Sequence, residues 1–132
     1  MAVTFCVKGE PVPQPRPRVS TVGGFARAYV PAGHPIHAYR AAIELAAKAA
    51  GLTPTGKPIA VEIDAVFQRP KSHWNKSGLK PTAPVLPRPD VDNIAKGCLD
   101  SLKKLIGDDT LVASLFVKKS YGEEARTTVA VS

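Results

Sequence analysis

Proline and glycine limit what this chain can fold into more than any other feature. The stretch EPVPQPRPRVSTVGGFARAYVPAGHP, residues 10–35, carries much of the chain's total of 13 Pro and 10 Gly. Proline has no backbone donor and clashes with a preceding helical turn, so this stretch reads as an extended arm or loop. A second broken stretch, PKSHWNKSGLKPTAPVLPRP at residues 70–89, reads as a long basic loop. Regular structure is left to the intervals between and beside them.

Those intervals carry clear periods. Val3–Gly9, VTFCVKG, alternates bulky residues and ends at glycine, as a strand does. Residues 36–50, IHAYRAAIELAAKAA, place Tyr39, Ile43 and Ala46/Ala47 at helical spacing, with Gly51 where a C-terminal cap belongs. KPIAVEIDAVFQRP sets Ile59, Val61, Ile63, Ala65 and Phe67 against Ala60, Glu62, Asp64, Val66 and Gln68, a period of two that predicts a strand with one buried face, ended by Pro70. A second helix is expected from Asp92 to Ile106, its apolar side made by Ile94, Ala95, Cys98, Leu99, Leu102, Leu105 and Ile106 and its end marked by Gly107. TLVASLFVKKSYG and ARTTVAV then read as strands with a turn at Gly122–Glu124. The order predicts a small α/β (α+β) fold, residues 1–132 in a single domain, with a mixed sheet and two main helices packed on it.

A hydrophobic fraction of 44% with 22% charged residues is the composition of a folded chain. The formal net charge of +7 attracts polyanions, nucleic acid foremost. No stretch approaches a membrane span and the N-terminus has no signal-peptide core, so a cytoplasmic protein is expected. Cys6 and Cys98 stand alone in apolar surroundings and read as buried thiols, which gives no support to a zinc knuckle or disulfide framework. His34, His37 and His73 lack partner cysteines and read as surface residues.

The acids are distributed unevenly. RPDVDNIAKGCLDSLKKLIGDD, residues 88–109, holds Asp90, Asp92, Asp100, Asp108 and Asp109, a large share of an Asp+Glu total of 11. Asp90 and Asp92 flank Val91 and leave the same side of the backbone if that stretch is extended. Asp108 and Asp109 lie beyond the other end of the helix, and a strand folding back would bring them to the first pair. Carboxylates gathered in this way repel unless a cation neutralises them, and Mg²⁺ is held by one or two carboxylates with water and phosphate. Such an ion generates a nucleophile and stabilises a leaving oxygen in phosphodiester hydrolysis. Lys96, four residues after Asp92, shares its helical face and can meet a phosphate. The same residues also admit a structural reading: Asp92 as N-cap, Asp92 to Lys96 as an i,i+4 pair, and GDD as a turn. Asp100 extends the polar face and reads as solvated or structural; Asp108 is a second-tier candidate, and Asp64 could support the site.

Lys71, Lys76, Lys80 and Arg88 in the loop, Arg16 and Arg18 in the arm, and Lys118 and Lys119 on a strand are candidates to neutralise DNA phosphates. Each alone is an ordinary surface residue. Together they put positive charge on both sides of the acids, where a backbone must be held near a metal. Trp74 can stack on an exposed base or pin the loop to the core.

KPTAPVLPRPDVDNIAKGCLDSL followed by IGDDTLV closely resembles the signature of the RusA-type Holliday-junction resolvases, and GEPVPQPRPRV and PKSHWNKSG extend the likeness over most of the chain. The resemblance implies metal-binding acids at Asp90, Asp92 and Asp109 and a catalytic-site lysine at Lys96. It further implies a homodimer that binds four-way DNA junctions and uses Mg²⁺, or Mn²⁺ in its place, to make paired nicks in recombination and repair. Two rivals stand beside it: a non-catalytic DNA-binding protein whose acids only cap and pair, and a metal-dependent enzyme acting on a nucleotide or sugar nucleotide. The second lacks a glycine-rich phosphate loop.

Overall fold

A computed structural model describes residues 2–132, with the side chain of Arg18 outside the description. Eight strands and two helices follow in the order β1 (Val3–Lys8), β2 (Arg18–Ser20), β3 (Arg27–Tyr29), α1 (Pro35–Ala49), β4 (Ile59–Gln68), β5 (Trp74–Asn75), β6 (Gly78–Leu79), α2 (Val91–Ile106), β7 (Val112–Gly122) and β8 (Arg126–Val131). The main sheet has the order β1-β8-β4-β7. Strands β1, β8 and β4 pair antiparallel and β4 pairs parallel with β7, so the sheet is mixed, as expected.

Alternation along each strand decides which face is covered. Val3, Phe5 and Val7 of β1, Ile59, Val61, Ile63, Ala65 and Phe67 of β4, and Thr127, Val129 and Val131 of β8 turn to the side on which α1 and α2 pack. From the helices, Ile36, Tyr39, Ile43 and Ala47 meet Ile94, Cys98, Leu102 and Ile106 in the same core. Complete burial of side chains such as Ile63 and Ile94 stabilises the fold by roughly 1.5–3 kcal/mol each. The other face, carrying Thr4, Cys6, Glu62, Phe116 and Lys118, has no helix over it among the described residues. This corrects the reading of Cys6 as buried: it shares a face with Thr4 and Lys8 and is exposed, whereas Cys98 is fully buried.

The arm is more structured than its prolines suggest. Its β2 and β3 form a small antiparallel ribbon, and its first half docks on α2 through the backbone N–H of Gln14, which donates to Asn93 O at 3.0 Å. Gly97 makes that approach possible, because a Cβ there would stand 3.3 Å from the Val12 carbonyl oxygen. The arm also ties the two helices: Arg40 of α1 donates to the Gln14 side chain and to Asp100 of α2 at 3.3 Å. The basic loop folds around the short β5–β6 ribbon and is pinned by Arg69, whose guanidinium donates to Pro84 O at 2.7 Å.

Helix α1 starts on His34, whose Nδ1 accepts the Ile36 N–H at 3.0 Å, so this histidine is a cap. His73 also departs from a surface role: it is half-buried, stands edge-on to Tyr121, and its Nδ1 is buried with no partner. No helix is long and apolar enough to cross a membrane among the described residues.

Candidate functional site

Helix α2 and the turns at its two ends carry the five aspartates of residues 90–109. The helix begins one residue earlier than its sequence suggests, at Val91, so Asp90 stands at the N-cap position and Asp92 within the first turn. Asp90 and Asp92 therefore do not lie side by side on an extended strand. Asp90 has extended backbone (φ −70°, ψ 143°), yet its carboxylate makes no capping hydrogen bond. Asp92 gains from the helix dipole at this position. It forms no salt bridge with Lys96 among the described residues, and both side chains are exposed. Neither structural job available to the first acid pair is taken.

The other acids divide cleanly. Asp100 is an ion-pair residue, 3.3 Å from Arg40. Asp108 caps the short 3-10 turn at Asp109–Leu111, accepting the Thr110 N–H at 2.9 Å. Hydrogen bonding to Thr110, reinforced by Asp109 and the Lys103 ammonium, holds the Asp108 carboxyl below the usual carboxylate range. Asp109 is exposed and forms no salt bridge among the described residues. Asp64, on the uncovered sheet face, lies 3.9 Å from Lys118 and keeps one carboxylate oxygen buried without a partner.

The return strand does fold back along α2, but it brings lysine rather than aspartate to the helix start. Lys119 of β7 donates to Pro89 O at 2.8 Å, one residue before Asp90. Asp109 stays at the opposite end of a 16-residue helix, about 24 Å away at 1.5 Å per residue. No group of three His, Cys, Asp or Glu side chains comes together to hold an ion among the described residues. One chain thus offers a metal the carboxylate pair Asp90 and Asp92, and does not assemble the three-acid set with Asp109.

Two residues along β7 from Lys119, Tyr121 lines a groove of about 470 Å³ together with Gln68, Arg69, Lys71, Trp74, Gly122 and Glu123. It opens where the parallel strands β4 and β7 both end. The Arg69 guanidinium stacks 4.2 Å above the Tyr121 ring, and Trp74 is half-exposed at the margin. Arg69 and Tyr121 were not picked out by the sequence reading. The FQRP terminus of β4 carried a signal for Arg69, a cation at the point where a proline stops a strand. Lys76, Lys80 and Arg88 belong to the same loop region, with Lys76 and Arg88 exposed and Lys80 half-buried. Arg16 is exposed in the arm, and the side chain of Arg18 lies outside the described residues. A second cavity, about 270 Å³ and lined by Val3, Leu52, Ile59, Ile106 and Val131 among others, lies toward the other end of the sheet and contains none of the acids.

Two carboxylates without a partner among the described residues stand at a helix start that Lys119 ties to β7, and the same strand carries Tyr121 into the groove. Such a site can hold a phosphodiester against a cation and stack a neighbouring base. Comparison with known proteins points the same way. A Bacillus subtilis (strain 168) protein, named only as the uncharacterized protein YqaN, is 34% identical over 139 residues, covering 98% of this chain and 94% of its own length. The family described as Endodeoxyribonuclease RusA matches residues 8–132, both ends of α2, the groove and the whole arm included. The chain belongs to the RusA endodeoxyribonuclease family.

Proposed function

We propose that this protein is a Mg²⁺-dependent resolvase that cuts four-way DNA junctions by paired, symmetric nicks during recombination and repair, acting as a homodimer. Membership of the family makes it an endodeoxyribonuclease and supports, as a proposal, the junction as its substrate. The observation that carries the finer reading is the freedom of Asp90 and Asp92: two carboxylates at a helix start that, among the described residues, neither cap nor pair.

When bound there, a divalent ion would supply the activation of water and the neutralisation of the leaving oxygen. The chain's own residues do the rest. Asp90 and Asp92 hold negative charge where a phosphate alone would be repelled, and so make occupancy conditional on a cation. Lys119, held at Pro89, and Lys96, one turn after Asp92, present ammonium groups to the phosphate backbone. Arg16, Lys71, Lys76, Lys80 and Arg88 extend that field across the arm and the loop, whereas Lys118 points to the uncovered sheet face beside Asp64. Trp74 supplies a stacking surface for a base at the branch.

The test is cleavage of a synthetic mobile four-way junction and a matched linear duplex, with and without Mg²⁺, by the native protein and Asp92→Asn. Symmetric nicks in the junction alone, dependent on metal and lost in a variant that still binds, support the reading. Binding without cleavage by the native protein, in Mg²⁺ and in Mn²⁺, would leave a DNA-binding protein whose acids only shape the helix ends.

A further inference from the structure

The tip of the β2–β3 ribbon is the most conspicuous surface that the site leaves unused. Between Ser20 and Arg27 the chain reads TVGGFA, without a charge or a proline, and Val22 and Phe25 are 85% and 71% exposed. The turn is built, not slack. Gly24 donates its N–H to Thr21 O at 3.1 Å, Val22 donates its N–H to Ser20 Oγ at 3.3 Å, and Gly23 and Gly24 hold φ at 84° and 81°. A Cβ at either glycine would meet nothing within 4 Å, so these two serve the backbone of the turn and not a packing contact. Every residue from Thr21 to Tyr29 is exposed. Val19, Val22 and Phe25 are therefore grouped on one projecting ribbon and not scattered singly, which is the pattern of a contact surface.

The charge around the tip says what it meets. No Asp or Glu lies between Glu10 and Glu44, whereas Arg16, Arg18, Arg27 and Arg40 do. Arg27 stands at the foot of the tip, opposite Ser20. An apolar end on an arginine-bearing two-stranded ribbon fits DNA: the ribbon suits a groove, the guanidinium takes a phosphate, and the apolar end goes against the faces of bases. The ribbon lies wholly within the stretch that the endodeoxyribonuclease family matches, which favours DNA over a lipid surface as the polyanion. Its root is fixed to the start of α2. Gln14 donates its N–H to Asn93 O, next to Asp92, and Pro15 and Pro17 stiffen the run from there to β2. On the return side Pro31 O accepts the His34 N–H at 3.0 Å and lies 3.0 Å from His37 Nε2. From Gln14 to Gly23 the chain spans at most about 30 Å, less than one turn of duplex at about 34 Å. A scissile phosphate at the acids and a branch point at the tip are thus within reach of one chain.

We infer that the β2–β3 tip is a wedge for the branch point: Phe25, with Val22 of the same turn, stacks on the base pair left open at the centre of a junction, while Arg27 holds an adjoining phosphate. A continuous duplex offers no open stack end, and the same contact there would require base pairs to be unstacked first. The tip therefore selects branched over linear DNA, and Phe25 is a specificity-determining residue that takes no part in the chemistry. The wedge rests on the branched-DNA reading above, but requires neither metal nor cleavage.

The test measures binding with Ca²⁺ in place of Mg²⁺, on an immobile four-way junction carrying 2-aminopurine beside the branch and on a matched linear duplex. Native binding raises 2-aminopurine fluorescence in the junction, as the base loses its stacked neighbour. Phe25→Ala, altered at an exposed position, binds the junction roughly 5- to 100-fold more weakly and without that rise, and binds the linear duplex as the native chain does. Arg27→Ala weakens binding to both DNAs, because both offer phosphates. A single-tryptophan chain, Phe25→Trp with Trp74→Phe, has its emission quenched by the junction and not by the duplex. A native chain that binds without the fluorescence rise, or a Phe25→Ala chain that opens the branch as the native one does, would overturn the wedge. So would tip emission that shifts to the blue on phosphatidylglycerol vesicles and is unaltered by the junction, which would assign the tip to a lipid surface. Nicking in Mg²⁺ is scored on the same preparations. Phe25-dependent opening by a native chain that never nicks upholds the wedge and removes the nuclease reading, whereas nicking without opening does the reverse.

Discussion

The five aspartates between residues 90 and 109 look alike in sequence and have different work in the fold. Asp100 is spent on Arg40 and Asp108 on the Thr110 N–H, while Asp90 and Asp92 are held at a helix start without partners. Elsewhere the buried pair Tyr39 and Cys98 carries a pH dependence of its own. Tyr39 donates or accepts at Thr127 Oγ1, 2.6 Å away, and lies 3.7 Å from Cys98 Sγ. Burial pushes the Cys98 thiol from its ordinary 9.0 up to about 11, and pushes the Tyr39 phenol upward as well. Both groups are neutral in the folded and unfolded states at neutral pH. Above pH 9 the unfolded thiol ionises and the folded one does not, so stability falls as pH rises to about 11. The loss from Cys98 is of the order of 2 kcal/mol. Urea denaturation at stepped alkaline pH is expected to show this fall, and to show less of it in Cys98→Ala.

Packing of the arm on α2 is a claim about elements, and Gly97 is where it can be tested. Gly97→Leu forces a side chain against the Val12 carbonyl and Ile36, at a cost of about 1–3 kcal/mol. It is expected to release residues 11–16 to protease while leaving β4 and β8 protected from hydrogen exchange. The main elements were legible because their periods are strong: β4 alternates over ten residues, and glycines mark the ends of both helices. Position 107 needs its glycine, with φ at 87°. The ribbon β2–β3 was not legible, since each strand has three residues and Arg27–Tyr29 is wholly exposed, which leaves no apolar alternation to read. Cys6 was misjudged although the pattern held the answer: Val3, Phe5 and Val7 point inward, so Cys6 points out. The clustering of aspartates between residues 90 and 109 was legible, but not where the fold puts each of them. A helix between Asp92 and Asp109 keeps them apart in one chain, and nothing in the local pattern says that the returning strand presents Lys119 to Pro89.

For the whole molecule, a formal net charge of +7 is spread over the arm, the loop and β7. Affinity for a junction is therefore expected to fall linearly in log–log form with salt, and Lys71→Ala combined with Lys76→Ala to lower that slope by roughly two. Gel shifts across a potassium chloride series measure it. On the proposed reading, cleavage and fold stability separate at the start of α2, because Asp90 and Asp92 make no capping hydrogen bond or salt bridge among the described residues. The most direct measurement takes one preparation of Asp92→Asn and records both its thermal unfolding and its Mg²⁺-dependent nicking of a four-way junction beside the native protein. The expected result is a stability change below about 1 kcal/mol, since an exposed first-turn aspartate interacts only with the helix dipole, with nicking abolished. Nicking that persists at the native rate, or that is lost only because the variant unfolds, would contradict the assignment of these carboxylates to the active site.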